Sequence, residues 1–113
     1  MTNKTSHPAT LSESLLVLRG WGDNKARLRV AVQSPEMWFA SFCTVKSVEV
    51  DRVEFWLQPD TDAVGFLLAD CRFEFGDVPP TDADSFLPVG GQVESGIVGR
   101  RPDFTITILL LKG

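Results

Sequence analysis

The sequence predicts a mainly β domain, a small antiparallel barrel or strongly bent sheet with a short N-terminal helix. Three observations carry that expectation. Apolar residues recur at every second position in Leu28-Arg29-Val30-Ala31-Val32 and again in Phe104-Thr105-Ile106-Thr107-Ile108, the period of a strand with one buried face. Aromatic and β-branched residues fill the long run Met37–Val48. A helical spacing, Leu11, Leu15 and Leu18, follows Thr10-Leu11-Ser12-Glu13, which has the form of a capping box.

Size and composition agree. A chain of 113 residues with 43% hydrophobic and 23% charged side chains can close one core without disulfides or metals. Residues 1–9 are polar and end in His7-Pro8-Ala9, so they read as a disordered leader to a single β-rich domain over 10–113. Gly20 is placed to stop the helix. The competing reading turns Leu15–Trp21 into a strand that reverses through Gly22-Asp23-Asn24.

From Arg27 the chain reads as strands. Leu28, Val30 and Val32 face inward, and Ser34-Pro35-Glu36 is a turn. Met37–Val48 is a long strand with Trp38, Ala40 and Phe42 opposite Phe39, Ser41 and Cys43. In the next strand Val53, Phe55 and Leu57 point inward, Glu54 and Trp56 outward, before a polar turn over Gln58–Asp62. Val64–Phe75 reads as one further strand, apolar on both faces at its start, as in a central or barrel strand. The stretch 76–92 is rich in proline and glycine and reads as a long loop, with Ile97-Val98 a brief strand after it. Phe104–Leu111 closes the series. A helix followed by strands in this order has the outline of SH3-like and Sm-like barrels, an analogy of architecture only.

Several function classes find little support. His7 is the only histidine and lies in the leader, so a serine or cysteine nucleophile on the scaffold has no histidine base. The glycines at 90, 91, 96 and 99 match neither a dinucleotide fingerprint nor a P-loop. Two cysteines, Cys43 and Cys71, sit apart in apolar runs and read as buried thiols, so no metal or other cofactor is expected. With a net charge of −4, Arg27 and Arg29 read as a solvated face, which argues against nucleic acid as a partner. No apolar run resembles a signal peptide or a membrane span, which makes a cytoplasmic setting the default.

What remains is a set of weak site candidates. If Asp51-Arg52 were a two-residue turn, Glu49 and Glu54 would oppose each other as a carboxylate pair able to hold a cation or divide acid and base roles. A four-residue loop over Glu49–Arg52 would instead set Glu54 opposite Ser47 and leave Glu49 in solvent. Asp60-x-Asp62 and Asp82-x-Asp84 lack the glycine and glutamate of a calcium loop. Trp56, beside Glu54 and Gln58, is the aromatic candidate for ligand contact, with Trp38 behind it. Leu109 and Leu111 break the alternation of the C-terminal strand and would leave apolar surface there, the expected seam of a homo-oligomer. The expected function is therefore a non-enzymatic binding or assembly domain that associates with itself. The alternative is a small carboxylate-dependent or metal-assisted hydrolase using acids of the hairpin or of the 76–92 loop.

Overall fold

The computed structural model describes residues 7–57, 62–76 and 93–111. A capping box starts helix α1 (Leu11–Asp23): the Thr10 N–H donates to Glu13 Oε1 at 2.8 Å, and the Glu13 N–H donates to Thr10 Oγ1 at 3.1 Å. The helix runs past Gly20, where no atom lies within 4 Å of the Cβ position and nothing forces a stop. It ends instead in a Schellman motif. The Ala26 N–H donates to the Trp21 carbonyl, the Lys25 N–H to the Gly22 carbonyl, and Lys25 takes the left-handed conformation (φ 54°) that glycine usually supplies. At Gly22 a Cβ would lie 3.1 Å from the Val45 side chain, so the helix approaches the sheet closely at this point.

Among the described residues, eight antiparallel strands follow the order β1-β6-β7-β8-β2-β3-β4-β5. They are β1 (His7–Ala9), β2 (Leu28–Ser34), β3 (Met37–Val48), β4 (Arg52–Leu57), β5 (Ala63–Leu67), β6 (Arg72–Gly76), β7 (Val93–Arg101) and β8 (Phe104–Leu111). Strands β5 and β6 are six steps apart in that order, which would be about 29 Å on a flat sheet at ~4.8 Å per step. The link from Leu67 to Arg72 spans at most about 18 Å at ~3.6 Å per residue. The sheet therefore curls strongly, but no ladder joins β5 to β1 and it stays open. The closed barrel with an SH3-like outline is replaced by a curled, open sheet.

Helix α1 packs against β3 and β6, which are separated by β7, β8 and β2, so it lies across the concave side. Leu15, Leu18 and Trp21 of the helix join Leu28, Val30, Val32, Phe55, Phe73, Ile97, Ile106 and Ile108 in one core. The alternation read in β2, β4 and β8 is the alternation into this core.

Four expectations change. His7–Ala9, placed in the leader, pair with Phe73–Phe75 as edge strand β1, because Ala9 packs on the core and the His7 ring meets Phe75 edge-on at 5.9 Å. The run Val64–Phe75 is two strands, broken by a turn at Leu68–Cys71 in which Asp70 adopts a positive φ of 65°. The brief strand at Ile97-Val98 extends over Val93–Arg101. The C-terminal strand β8 is central, between β7 and β2, not at an edge. Leu109 is 1% exposed and Leu111 is buried, packed with Phe42 in a small cluster on the convex face. The exposed apolar seam expected at these two leucines is not there. Positions 58–61 of the expected Gln58–Asp62 turn and positions 77–92 of the expected 76–92 loop, with Asp82-x-Asp84 and Gly90-Gly91, lie outside the described residues. No helix among the described residues is long and apolar enough to cross a membrane.

Candidate functional site

The centre of the convex face is filled by small or buried groups, with Val98, Thr107 and Ala31 in one cross-strand row. Exposed large apolar side chains lie elsewhere, among them Trp38, Trp56 and Leu67. Trp56 and Leu67 belong to the β4–β5 end of the sheet, and the site candidates gather there.

The β3–β4 connection is the four-residue loop. Val48 pairs with Val53 and Ser47 with Glu54, and the Glu49 N–H donates to the Arg52 carbonyl at 2.8 Å. The directly opposed Glu49/Glu54 pair does not form. The register slips between Val45 and Ser47, leaving Lys46 as the extra residue of a bulge. Both Lys46 and Ser47 consequently reach Glu54. The Ser47 hydroxyl donates to Glu54 Oε1 at 2.9 Å and the Lys46 ammonium donates to the same oxygen at 3.2 Å. These two contacts hold the Glu54 carboxyl below the usual glutamate range, the serine hydrogen bond contributing most. Lys46 Nζ also stands 5.2 Å from the centre of the Trp56 ring, a cation–π contact.

Glu49, Val50, Asp51, Arg52 and Glu54 line an open depression of about 470 Å³ at the loop. Glu49 and Glu54 thus share a surface, although they do not face each other across the ladder. Asp51 is engaged by Arg52, whose Nε lies 3.3 Å from Asp51 Oδ1. The arrangement can bind a polar or cationic group at its rim and offers Trp56 as an apolar neighbour. Among the described residues, no group of three or more His, Cys, Asp or Glu side chains is placed to hold a metal ion.

The remaining candidates lie outside the depression. Arg27 and Arg29 lie over the Phe42 ring at 5.5 Å and 4.6 Å. Cys43 is a buried free thiol, and burial pushes it up to about 11; Cys71 is half-buried and also raised by burial. His7 sits on β1, at the opposite edge of the sheet from β5. Beside it, Ala9, Glu13, Ser14, Val17 and Phe75 complete a smaller cleft of about 160 Å³, in which the buried Ser14 hydroxyl has no hydrogen-bond partner among the described residues.

Sequence reasoning missed one feature of the β4–β5 end. Among the described residues, strand β5 (Ala63-Val64-Gly65-Phe66-Leu67) is an edge strand with neither charge nor proline. The missing signal was strand order, because this segment was read as the start of one long central strand. Comparison of the chain with protein-family models, with curated proteins and with solved structures finds no match.

Proposed function

We propose that this chain is a non-enzymatic binding or assembly domain that associates with copies of itself through the β4–β5 end of its sheet. The observation that carries the reading is the edge strand β5, apolar throughout and flanked by the exposed indole of Trp56. Natural edge strands are commonly protected by charge, proline or brevity, and an unprotected one is a template for another strand. The other edge, β1, is only three residues long and contains Pro8, which has no N–H to donate. The free thiols of Cys43 and Cys71 fit a reducing compartment such as the cytoplasm.

A hydrolytic centre at the Glu49/Glu54 depression is the second reading. In its favour, three carboxylates, Glu49, Asp51 and Glu54, line one concave surface. Against it, Glu54 is held ionised and is poorly suited to give up a proton as a general acid. Sedimentation velocity over a wide concentration range tests the preferred reading. A sedimentation coefficient that rises with concentration is expected, and a monomer throughout defeats self-association.

A further inference from the structure

We propose that two copies of this chain pair antiparallel along the free edge of β5, with Gly65 on the two-fold axis. The inference rests on the assembly reading above and specifies its contact and register.

The hydrogen bonds of β5 determine which groups are free. The Leu57 N–H donates to the Asp62 carbonyl and the Leu68 N–H to the Asp51 carbonyl. In an antiparallel ladder, pairs that exchange hydrogen bonds alternate with pairs that do not. Pairs Phe55/Val64 and Val53/Phe66 are therefore the hydrogen-bonded ones within the chain. Ala63, Gly65 and Leu67 turn their N–H and C=O groups away from β4, toward the open edge. Among the described residues no strand takes them up.

Those three residues are self-complementary. With Gly65 on the axis, Gly65 exchanges both hydrogen bonds with Gly65 of the second copy. Ala63 does the same with Leu67 of the second copy, and Leu67 with Ala63. A small side chain thus meets a large one on the exposed face, where Leu67 is 51% exposed and Trp56 38%. Trp56 lies in the same cross-strand row as Ala63, so Leu67 of the second copy extends the apolar surface that Trp56 begins. On the other face Val64 and Phe66, both half-buried, oppose their counterparts. The charged groups nearest the seam, Arg52 and Glu54, are on β4, and the Glu54 carboxylate that reaches over Gly65 keeps the Lys46 ammonium and the Ser47 hydroxyl as partners. Gly65 suits the centre for a further reason: the Glu54 Cγ lies 3.3 Å from where its Cβ would be, so the glutamate leans over the glycine.

One five-residue edge contributes less than the ~800 Å² per partner of a standard interface. The dimer is therefore a weak, reversible one. Such a pair is isologous and closes on itself, which limits growth into filaments.

Three measurements on the full chain test this. Sedimentation equilibrium should show monomers converting to dimers between about 1 μM and about 1 mM. Leu67→Pro removes an outward N–H while leaving the β4 ladder intact, and should weaken the dimer at least ~10-fold with an unchanged circular dichroism spectrum. In a Cys71→Ser background, the double variant Ala63→Cys with Leu67→Cys should oxidise to a covalent dimer, whereas Ala63→Cys alone should not. If Leu67→Pro does not fold, the cysteine pair decides. A wild type that is monomeric throughout overturns both this inference and the self-association reading. A dimer indifferent to Leu67→Pro, or cross-linked equally by the single cysteine, overturns this seam and leaves self-association standing elsewhere.

Discussion

The Ser47 hydroxyl donates to Glu54 Oε1 at 2.9 Å across the β3–β4 ladder, and it does so because a bulge at Lys46 brings two consecutive side chains to bear on one carboxylate. The Glu54 pKa is lowered in the fold, so its stabilising contribution is present above the ordinary glutamate pKa. It is lost as pH falls through the depressed value. Urea midpoints measured from about pH 7 to about pH 3 should show a shallower acid limb for Glu54→Gln than for wild type. Parallel limbs would mean that the carboxylate titrates alike in folded and unfolded chains.

Ser14 carries a second prediction. Its hydroxyl is buried on α1 without a partner among the described residues, and an unsatisfied buried group costs about 1–3 kcal/mol. Alanine removes that group and is a better helix former. Ser14→Ala should therefore raise stability by roughly 1 kcal/mol in a denaturant melt. A loss of stability would reveal a partner for the hydroxyl in the His7–Phe75 cleft.

Glycines in different surroundings should respond oppositely to the same change. At Gly99 an added Cβ would lie 2.8 Å from the Phe73 ring and 3.2 Å from Ile106 Cγ2, both in the core. Gly99→Ala should destabilise by about 1–3 kcal/mol. At Gly20 the Cβ meets nothing within 4 Å, and Gly20→Ala should stabilise the helix by about 0.5–1 kcal/mol. Thermal melts of the two variants should move in opposite directions from wild type.

The two thiols should label at different rates. Cys43 is 1% exposed and pushed up to about 11, while Cys71 is half-buried. A thiol reagent at about pH 8 should modify Cys71 slowly and Cys43 more slowly still, and both at once in denaturant. Fast labelling of Cys43 in the native protein would contradict its place in the core.

Local chemistry was legible in the sequence and long-range order was not. The capping box at Thr10, the inward alternation of Leu28, Val30 and Val32, and the bounds of Met37–Val48 all depend on near neighbours. The break between β5 and β6 gave no sign, because Leu68-Ala69-Asp70 holds neither glycine nor proline and Asp70 takes the left-handed conformation itself. The same holds at the end of α1, where Lys25 replaces the expected glycine. Leu109 was read as surface because it falls on the strand face opposite Phe104, Ile106 and Ile108. Its burial follows from pairing with β2 and β7, which no local pattern encodes. At the site, the Ser47 register for Glu54 was one of two readings, while the bulge that adds Lys46 was not foreseen.

The central position of β8 sets the sequence of events during synthesis. Strand β8 pairs with β7 on one side and with β2 on the other. Until Phe104–Leu111 leaves the ribosome, β2-β3-β4-β5 and β1-β6-β7 are separate ribbons, each with a raw edge. The β2–β8 ladder closes a loop through most of the chain, and pairings of such long sequence separation form slowly. Nascent chains stalled before Phe104 should therefore be the aggregation-prone species, since they expose the inner edges of both ribbons together.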